Sequence, residues 1–241
     1  MRNPWFGRYG SSLLYMTATL ALMSLAALQV AAQTPQLQQS LAEIKQAVAA
    51  NRQALTRYTW LEEQTIIVKG EVKKEELFQV RLGPDGKPQR VLTGSTPASP
   101  PTVGKIRRIV KRNMTREYEE YAKQIGALAQ SYAQSDPQRL QQAYEHGNVT
   151  SGPTGLPGGV RLMIANYIRP KDSVVIVFNR PQKMIVSLHI SSYLSDPTDA
   201  VEISAQFSKL PDGVNCPSGA IVNGISKQLT VHIQYSDYTM P

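Results

Sequence analysis

The feature that most constrains the fold is a period-two pattern of apolar and polar side chains near the carboxyl end. Residues 201–208 and 229–236 alternate without an error, so each predicts a strand with one apolar face and one wet face. The breaks between neighbouring strand segments are short and carry proline, aspartate, asparagine or glycine. Because turns this short join strands antiparallel, and no helical segment separates them, the sequence predicts an antiparallel meander.

The predicted strands extend upstream of this region. They are residues 58–68, 72–82, 89–93, 160–168, 174–178, 184–193, 200–208 and 228–235. On the two alternating strands we expect buried side chains at Val201, Ile203, Phe207, Leu229, Val231 and Ile233. We expect Glu202, Gln206 and His232 on the solvated side. Residues 94–104 are predicted to be a linker and residues 148–159 an irregular loop, because both are rich in glycine and proline.

Three helices complete the predicted fold. Apolar residues at helical spacing predict an amphipathic helix over about residues 36–57. Two more helices are predicted within an insert over about residues 104–147, the second beginning at Asp136-Pro137. The sequence therefore predicts an α+β domain. Its curved antiparallel sheet, a half-barrel of roughly seven to nine strands, has three helices packed on or near the concave face.

The first 32 residues have the layout of a secretory signal peptide. Arg2 and Arg8 form a basic start, residues 13–30 are largely apolar, and Val30-Ala31-Ala32 offers small residues to a signal peptidase. The alternative is a retained membrane anchor, because an apolar run of 18 residues is at the lower edge of spanning length. We expect residues 1–32 to be removed and residues 33–241 to form one exported domain, soluble in the periplasm or secreted.

Positive charge is concentrated in the predicted insert. The formal net charge is +8, and removal of the two arginines in residues 1–32 leaves +6. Six basic residues lie close together in the sequence: Lys105, Arg107, Arg108, Lys111, Arg112 and Arg116. Because positive charge at a helix start opposes the helix dipole, helix stability does not explain this cluster. We expect these six residues, the basic patch, to contact an anionic membrane surface or an acidic protein, and export argues against nucleic acid.

No pattern for catalysis or for a cofactor is visible. The sequence has no Walker loop, dinucleotide fingerprint, nucleophile elbow or metal-type Cys/His spacing. Cys216, the only cysteine, is expected to be a small buried side chain. His189, His232 and Glu202 lie on polar strand faces, where they are either solvated or, in a suitable register, near one metal. The pair Glu62-Glu63 is expected to be solvated. We predict no enzymatic activity, cofactor or metal.

The long predicted helix carries an apolar stripe. Its members are Met114, Tyr118, Tyr121, Ile125, Leu128 and Tyr132. Such stripes are most often core, but this one could also close a cavity over the sheet and present its rings to a lipid-like ligand. The favoured function is a non-catalytic exported protein that binds or carries an apolar, lipid-like ligand. The alternative is an envelope structural or interaction protein that docks an acidic partner or an anionic membrane surface through its basic helix.

The order of these parts resembles a known arrangement. Residues 55–92 (LTRYTWLEEQTIIVKGEVKKEELFQVRLGPDGKPQRVL) resemble the early hairpin region of the periplasmic lipoprotein-carrier and outer-membrane lipoprotein-sorting families. Residues 201–238, with FSKLPDG and QLTVHIQYSDY, resemble small uncharacterised exported bacterial proteins. The carrier resemblance implies a half-barrel with helices over its concave side, a cavity for a lipid or lipoprotein acyl chain, and no catalysis. It assigns no ligand residue. The long basic helix and the missing lipobox depart from the carrier pattern.

Export can be tested directly. We expect the mature protein to begin at or near Gln33, because the small residues before it suit signal peptidase. Amino-terminal sequencing of the protein recovered from the periplasm or the medium measures this. Finding Met1 or Arg2 at the start of that protein would contradict cleavage.

Overall fold

The computed structural model describes residues 35–97, 105–133 and 137–240, and for residues 97, 105–115 and 137 it describes the backbone alone. The chain divides into two compact units, residues 1–42 and 43–241. Helix α1 is described from residue 35 to residue 55, α2 spans Lys105–Ala133 and α3 spans Pro137–Glu145. Among the described helices, none is both long and apolar enough to cross a membrane.

Ten strands follow one another around a single sheet in the second unit. They are β1 Thr59–Val68, β2 Glu71–Leu82, β3 Pro88–Pro97, β4 Val149–Pro153, β5 Gly159–Ala165, β6 Ser173–Asn179, β7 Met184–Tyr193, β8 Ala200–Lys209, β9 Asn215–Gly224 and β10 Leu229–Thr239. Their order is β3-β2-β1-β10-β9-β8-β7-β6-β5-β4, and every neighbouring pair is antiparallel. The sheet is curled but not closed, and the predicted α+β class is confirmed.

The predicted number of strands was too low, because β4 and β9 were missed. Strand β4 lies in residues 148–159, which were predicted to be irregular. Its proline is tolerated because β4 is an edge strand. Strand β9 contains Pro217, which lies at a register shift opposite Phe207, the position in a sheet where proline fits. Strand β3 also continues to Pro97, beyond the predicted start of the linker.

The alternating strands give the sheet two different faces. The face on which α2 packs, called the helix face below, carries buried aliphatic side chains such as Ile164, Ile190 and Val201. The open face carries the residues between them, including Ser204 and Gln234. The predicted burial register is therefore confirmed in direction: Val201, Ile203 and Leu229 are buried, and Phe207, Val231 and Ile233 are half-buried. Gln206 and His232 are exposed, and Glu202 is half-buried.

Helix α2 is held on the helix face by two tyrosines three turns apart. A side chain at Gly224 would overlap the Tyr121 ring, so the glycine lets that ring lie directly on β9. The Tyr132 hydroxyl lies 2.5 Å from Asp172 Oδ2 and 2.8 Å from Ser192 Oγ. Desolvation raises the pKa of Tyr132, and the hydrogen bond to Asp172 raises it further. These contacts fix the orientation of α2 on the sheet.

Asp172 connects this helix to the turn between β5 and β6. Its carboxylate also accepts hydrogen bonds from the backbone N–H groups of Tyr167, Ile168 and Arg169 at 2.5, 2.9 and 3.0 Å. A buried carboxylate needs such partners, because an unpaired charge in a protein interior is costly. The predicted break at residues 169–172 is thus a turn organised around one carboxylate.

Cys216 is buried on β9, as predicted, with 1% of its surface exposed. Burial raises the pKa of its thiol, so the reactive thiolate is disfavoured at neutral pH.

Replacing Tyr132 with phenylalanine should destabilise the protein by about 1–3 kcal/mol, because the buried Asp172 and Ser192 each lose a hydrogen-bond partner. Urea denaturation measures the change in the free energy of unfolding. Tyr144→Phe is the matched control, since the hydroxyl of this half-buried residue on α3 makes no hydrogen bond with a described residue. Equal effects of the two substitutions would show that the hydroxyl of Tyr132 does not anchor α2.

Candidate functional site

A groove of about 700 Å³ crosses the middle of the open face. Its lining comes from β2, β1, β10, β9 and β8, which are five adjacent strands of the sheet. The lining residues are Leu61, Glu63, Leu77, Ser204, Gln206, Ser218, Gly219, Ala220, Ile221, His232, Ile233, Gln234, Tyr235, Ser236 and Asp237. This volume lies within the range of small-molecule sites, about 300–1,000 Å³.

Strand register explains how distant residues meet in this groove. Leu77 lies opposite Glu63, Glu63 opposite Gln234, and Gln234 opposite Gly219. Gly219 in turn lies opposite Gln206 on β8. Directly paired residues share a face of a sheet, so these five positions form one row across the groove. The row joins residues that are more than 100 positions apart in the chain.

Part of the groove lining is aliphatic, and a glycine lies in it. Leu61 and Leu77 are half-buried, and Ile221 remains 39% exposed. A Cβ atom added at Gly219 would have ordinary contact with the Ile233 carbonyl oxygen at 3.5 Å and no closer neighbour. The position therefore has room for a side chain, and glycine there keeps the groove open. Aliphatic side chains around such an opening can contact an apolar chain.

Several polar side chains of the groove have unused hydrogen-bonding capacity. Glu63, Gln206, His232 and Gln234 form no hydrogen bond or ion pair with any described residue. The amides supply donors and acceptors, the carboxylate supplies acceptors only, and the imidazole supplies one of each when neutral. Within the described lining, the charged side chains are Glu63 and Asp237, with no lysine or arginine.

At one edge of the groove, where Ser204 lies, polar side chains satisfy one another instead. His189 Nε2 lies 3.0 Å from Glu202 Oε2, and His189 Nδ1 lies 3.0 Å from Ser204 Oγ. The Ser191 hydroxyl donates to the same Glu202 oxygen at 2.9 Å. Among the described residues, Glu63, Gln206, His232 and Gln234 thus remain free to bind a ligand, whereas His189 and Glu202 pair with each other.

The two strand histidines do not converge. They lie in one row with Ser204 and Ile221 between them, so three strand spacings, about 14 Å, separate the two positions. Among the described residues, no group of three histidine, cysteine or acidic side chains could hold a metal ion. His189 pairs with Glu202 and His232 lines the groove.

The predicted apolar ligand face lies elsewhere, on α2. Tyr121, Ile125, Leu128 and Tyr132 are at most 5% exposed, and Tyr118 is half-buried. The Met114 side chain lies outside the described residues. The four buried residues belong to the hydrophobic core and do not line the groove. Their role toward a ligand stays a prediction.

The basic patch lies at the start of α2, as expected from its sequence. Only the Arg116 side chain is described, and it is exposed. The side chains of Lys105, Arg107, Arg108, Lys111 and Arg112 lie outside the described residues. The contact with an anionic surface or an acidic protein therefore stays a prediction.

The expectation that both members of the Glu62-Glu63 pair are solvated was wrong for Glu62. Glu62 is 1% exposed on the helix face. Its Oε1 atom accepts hydrogen bonds from Arg90 Nε at 2.8 Å and from Gln64 Nε2 at 2.6 Å. The charge could be buried because β3 brings Arg90 to it, and that pairing is not encoded locally in the sequence. Glu63, on the opposite face, is exposed as expected.

Comparisons with known proteins give little further information. No family model matches the chain, and no curated protein matches it. One solved structure, a DUF1329 family protein from Desulfovibrio piger, is similar with a TM-score of 0.41 and 10% identity, over 83% of this chain and 92% of that chain. At this level, neither family membership nor function follows. No comparison links the chain to the lipoprotein-carrier families, and that resemblance stays a prediction.

Proposed function

We propose that this protein is an exported binding protein that holds a lipid-like ligand in the open-face groove. The single observation that carries the proposal is the groove itself, with its aliphatic side chains and with Glu63, Gln206, His232 and Gln234, which have no partner among the described residues. Burial of each methylene group of an apolar chain contributes about 0.8 kcal/mol, so a short acyl chain on Leu61, Leu77 and Ile221 supplies useful affinity. The ligand's polar end would contact the amides and the carboxylate.

The proposed role is binding without chemical transformation. Ser204, His189 and Glu202 form a chain of contacts of the kind that activates a serine nucleophile. Acyl transfer also needs N–H donors for the developing oxyanion. Strands β7, β8 and β9 are paired on both sides, so their backbone N–H groups are engaged in the sheet around these residues. Backbone donors for an oxyanion are thus already engaged beside this serine, which favours binding without chemical transformation.

The groove can be filled without disturbing the sheet. In Gly219→Leu the new side chain should occupy the groove, and we expect the affinity for monodecanoylglycerol, a neutral single-chain lipid, to fall at least about tenfold. Gly152→Leu is the matched control, because Gly152 lies in the same row on edge strand β4, outside the groove, and has open space around it. Isothermal titration calorimetry measures both affinities.

Mass spectrometry of organic extracts from the purified proteins provides a second readout. We expect a lipid-like species to copurify with the wild-type protein and with Gly152→Leu, and to be reduced in Gly219→Leu. Unchanged monodecanoylglycerol affinity in a folded Gly219→Leu protein would rule out this groove as the binding site. Failure of the wild-type protein to bind the lipid at all would overturn the proposed function.

A further inference from the structure

The charge of the groove differs in sign from the charge of the protein. Two carboxylates, Glu63 and Asp237, line the groove, and its described lining has no lysine or arginine. Glu63 is exposed and has no described ion-pair partner. The whole chain carries a formal charge of +8, or +6 once residues 1–32 are removed. The long-range field therefore favours anions, whereas the local field at the groove favours cations.

Two other carboxylates of neighbouring strands, Glu202 and Glu62, have ion-pair partners. Glu202 is engaged with His189 and Ser191, and Glu62 is engaged with Arg90 on the opposite face. Among the described residues, neither Glu63 nor Gln234 opposite it has a hydrogen-bond partner, so together they can accept hydrogen bonds from an ammonium group. An anionic head, such as a carboxylate or a phosphate, would meet repulsion and would find no cation in the described lining.

We infer that the groove selects lipid-like ligands with an amine-bearing, cationic head group over ligands with an anionic head. The inference rests on the proposed function, since it names the ligand class of the same groove. The apolar chain lies on Leu61, Leu77 and Ile221, and the ammonium group lies beside Glu63 and Gln234. Glu63 and Gln234 face each other across the β1–β10 pair, so one head group can contact both.

Three probes share a chain of ten carbons and differ in the charge of the head group: decylamine, decanoate and monodecanoylglycerol. Comparing them distinguishes the contribution of the head group to affinity from that of the chain. Calorimetry at pH 8, low salt and concentrations below micelle formation gives the three affinities. We expect the wild-type protein to bind decylamine about three- to tenfold more tightly than decanoate, because an exposed charge interaction is weak but here attracts one probe and repels the other. Raising the ionic strength should reduce this ratio.

Reversing the charge of Glu63 tests the head-group preference most directly. Glu63→Lys should make decanoate the tighter ligand, because the charge beside the head group changes sign. Glu120→Lys is the control with the same change in net charge, because Glu120 is exposed on α2, away from the groove lining. It should keep the wild-type preference for decylamine.

The outcomes distinguish the inference from the function on which it rests. If the wild-type protein binds monodecanoylglycerol but shows no preference for decylamine over decanoate, the head-group inference is wrong and lipid binding stands. If Glu63→Lys and Glu120→Lys change the preference equally, the net charge of the protein and not the groove sets it, which also overturns the inference. If no probe binds, the proposed function fails and the inference fails with it.

Discussion

The pairing of β1 with β10 is the interaction on which the rest of this structure depends. It runs from Thr59 opposite Thr239 to Val68 opposite Leu229. It joins the first three strands to the seven that follow α2 and α3. Without this ladder, β3-β2-β1 would be a separate three-stranded sheet, and Leu61, Glu63 and Leu77 would not lie beside Gln234 and Gly219. Contacts between residues so far apart carry a large loop-closure cost, so a long, continuous register is needed to stabilise them.

The two faces of the sheet differ in whether their carboxylates have partners among the described residues. On the helix face, two buried carboxylates have partners: Asp172 accepts hydrogen bonds from Tyr132 and three backbone N–H groups, and Glu62 pairs with Arg90. This satisfies the requirement for buried charge and fixes α2 in place. On the open face, the groove has amides and a carboxylate without partners among the described residues, together with aliphatic side chains. Paired buried charge thus lies on one face, and the proposed binding groove lies on the other.

Local pattern was enough to predict most of the fold. Strict alternation identified β8 and β10, and their burial register followed from it, because a slip of one residue would exchange the two faces. Strand β9 was missed because Pro217, Gly219 and Gly224 break its alternation, and its place is set by the neighbouring strands β8 and β10.

The groove was missed for a related reason: Glu63 and Gln234 come from opposite ends of the described chain. The free polar residues on alternating strands were the available signal, and only the register shows which of them meet.

The central claim is that the ligand lies on the open face and not beneath the helices. Methyl-resolved NMR during titration with monodecanoylglycerol tests it most directly, because the two faces carry different aliphatic residues. The account predicts chemical-shift changes that saturate together at Leu61, Leu77 and Ile221, with little change at Ile125, Leu128 and Ile164. Shifts concentrated at Ile125, Leu128 and Ile164, with Leu61 and Ile221 unaffected, would place the ligand under α2 and contradict the account.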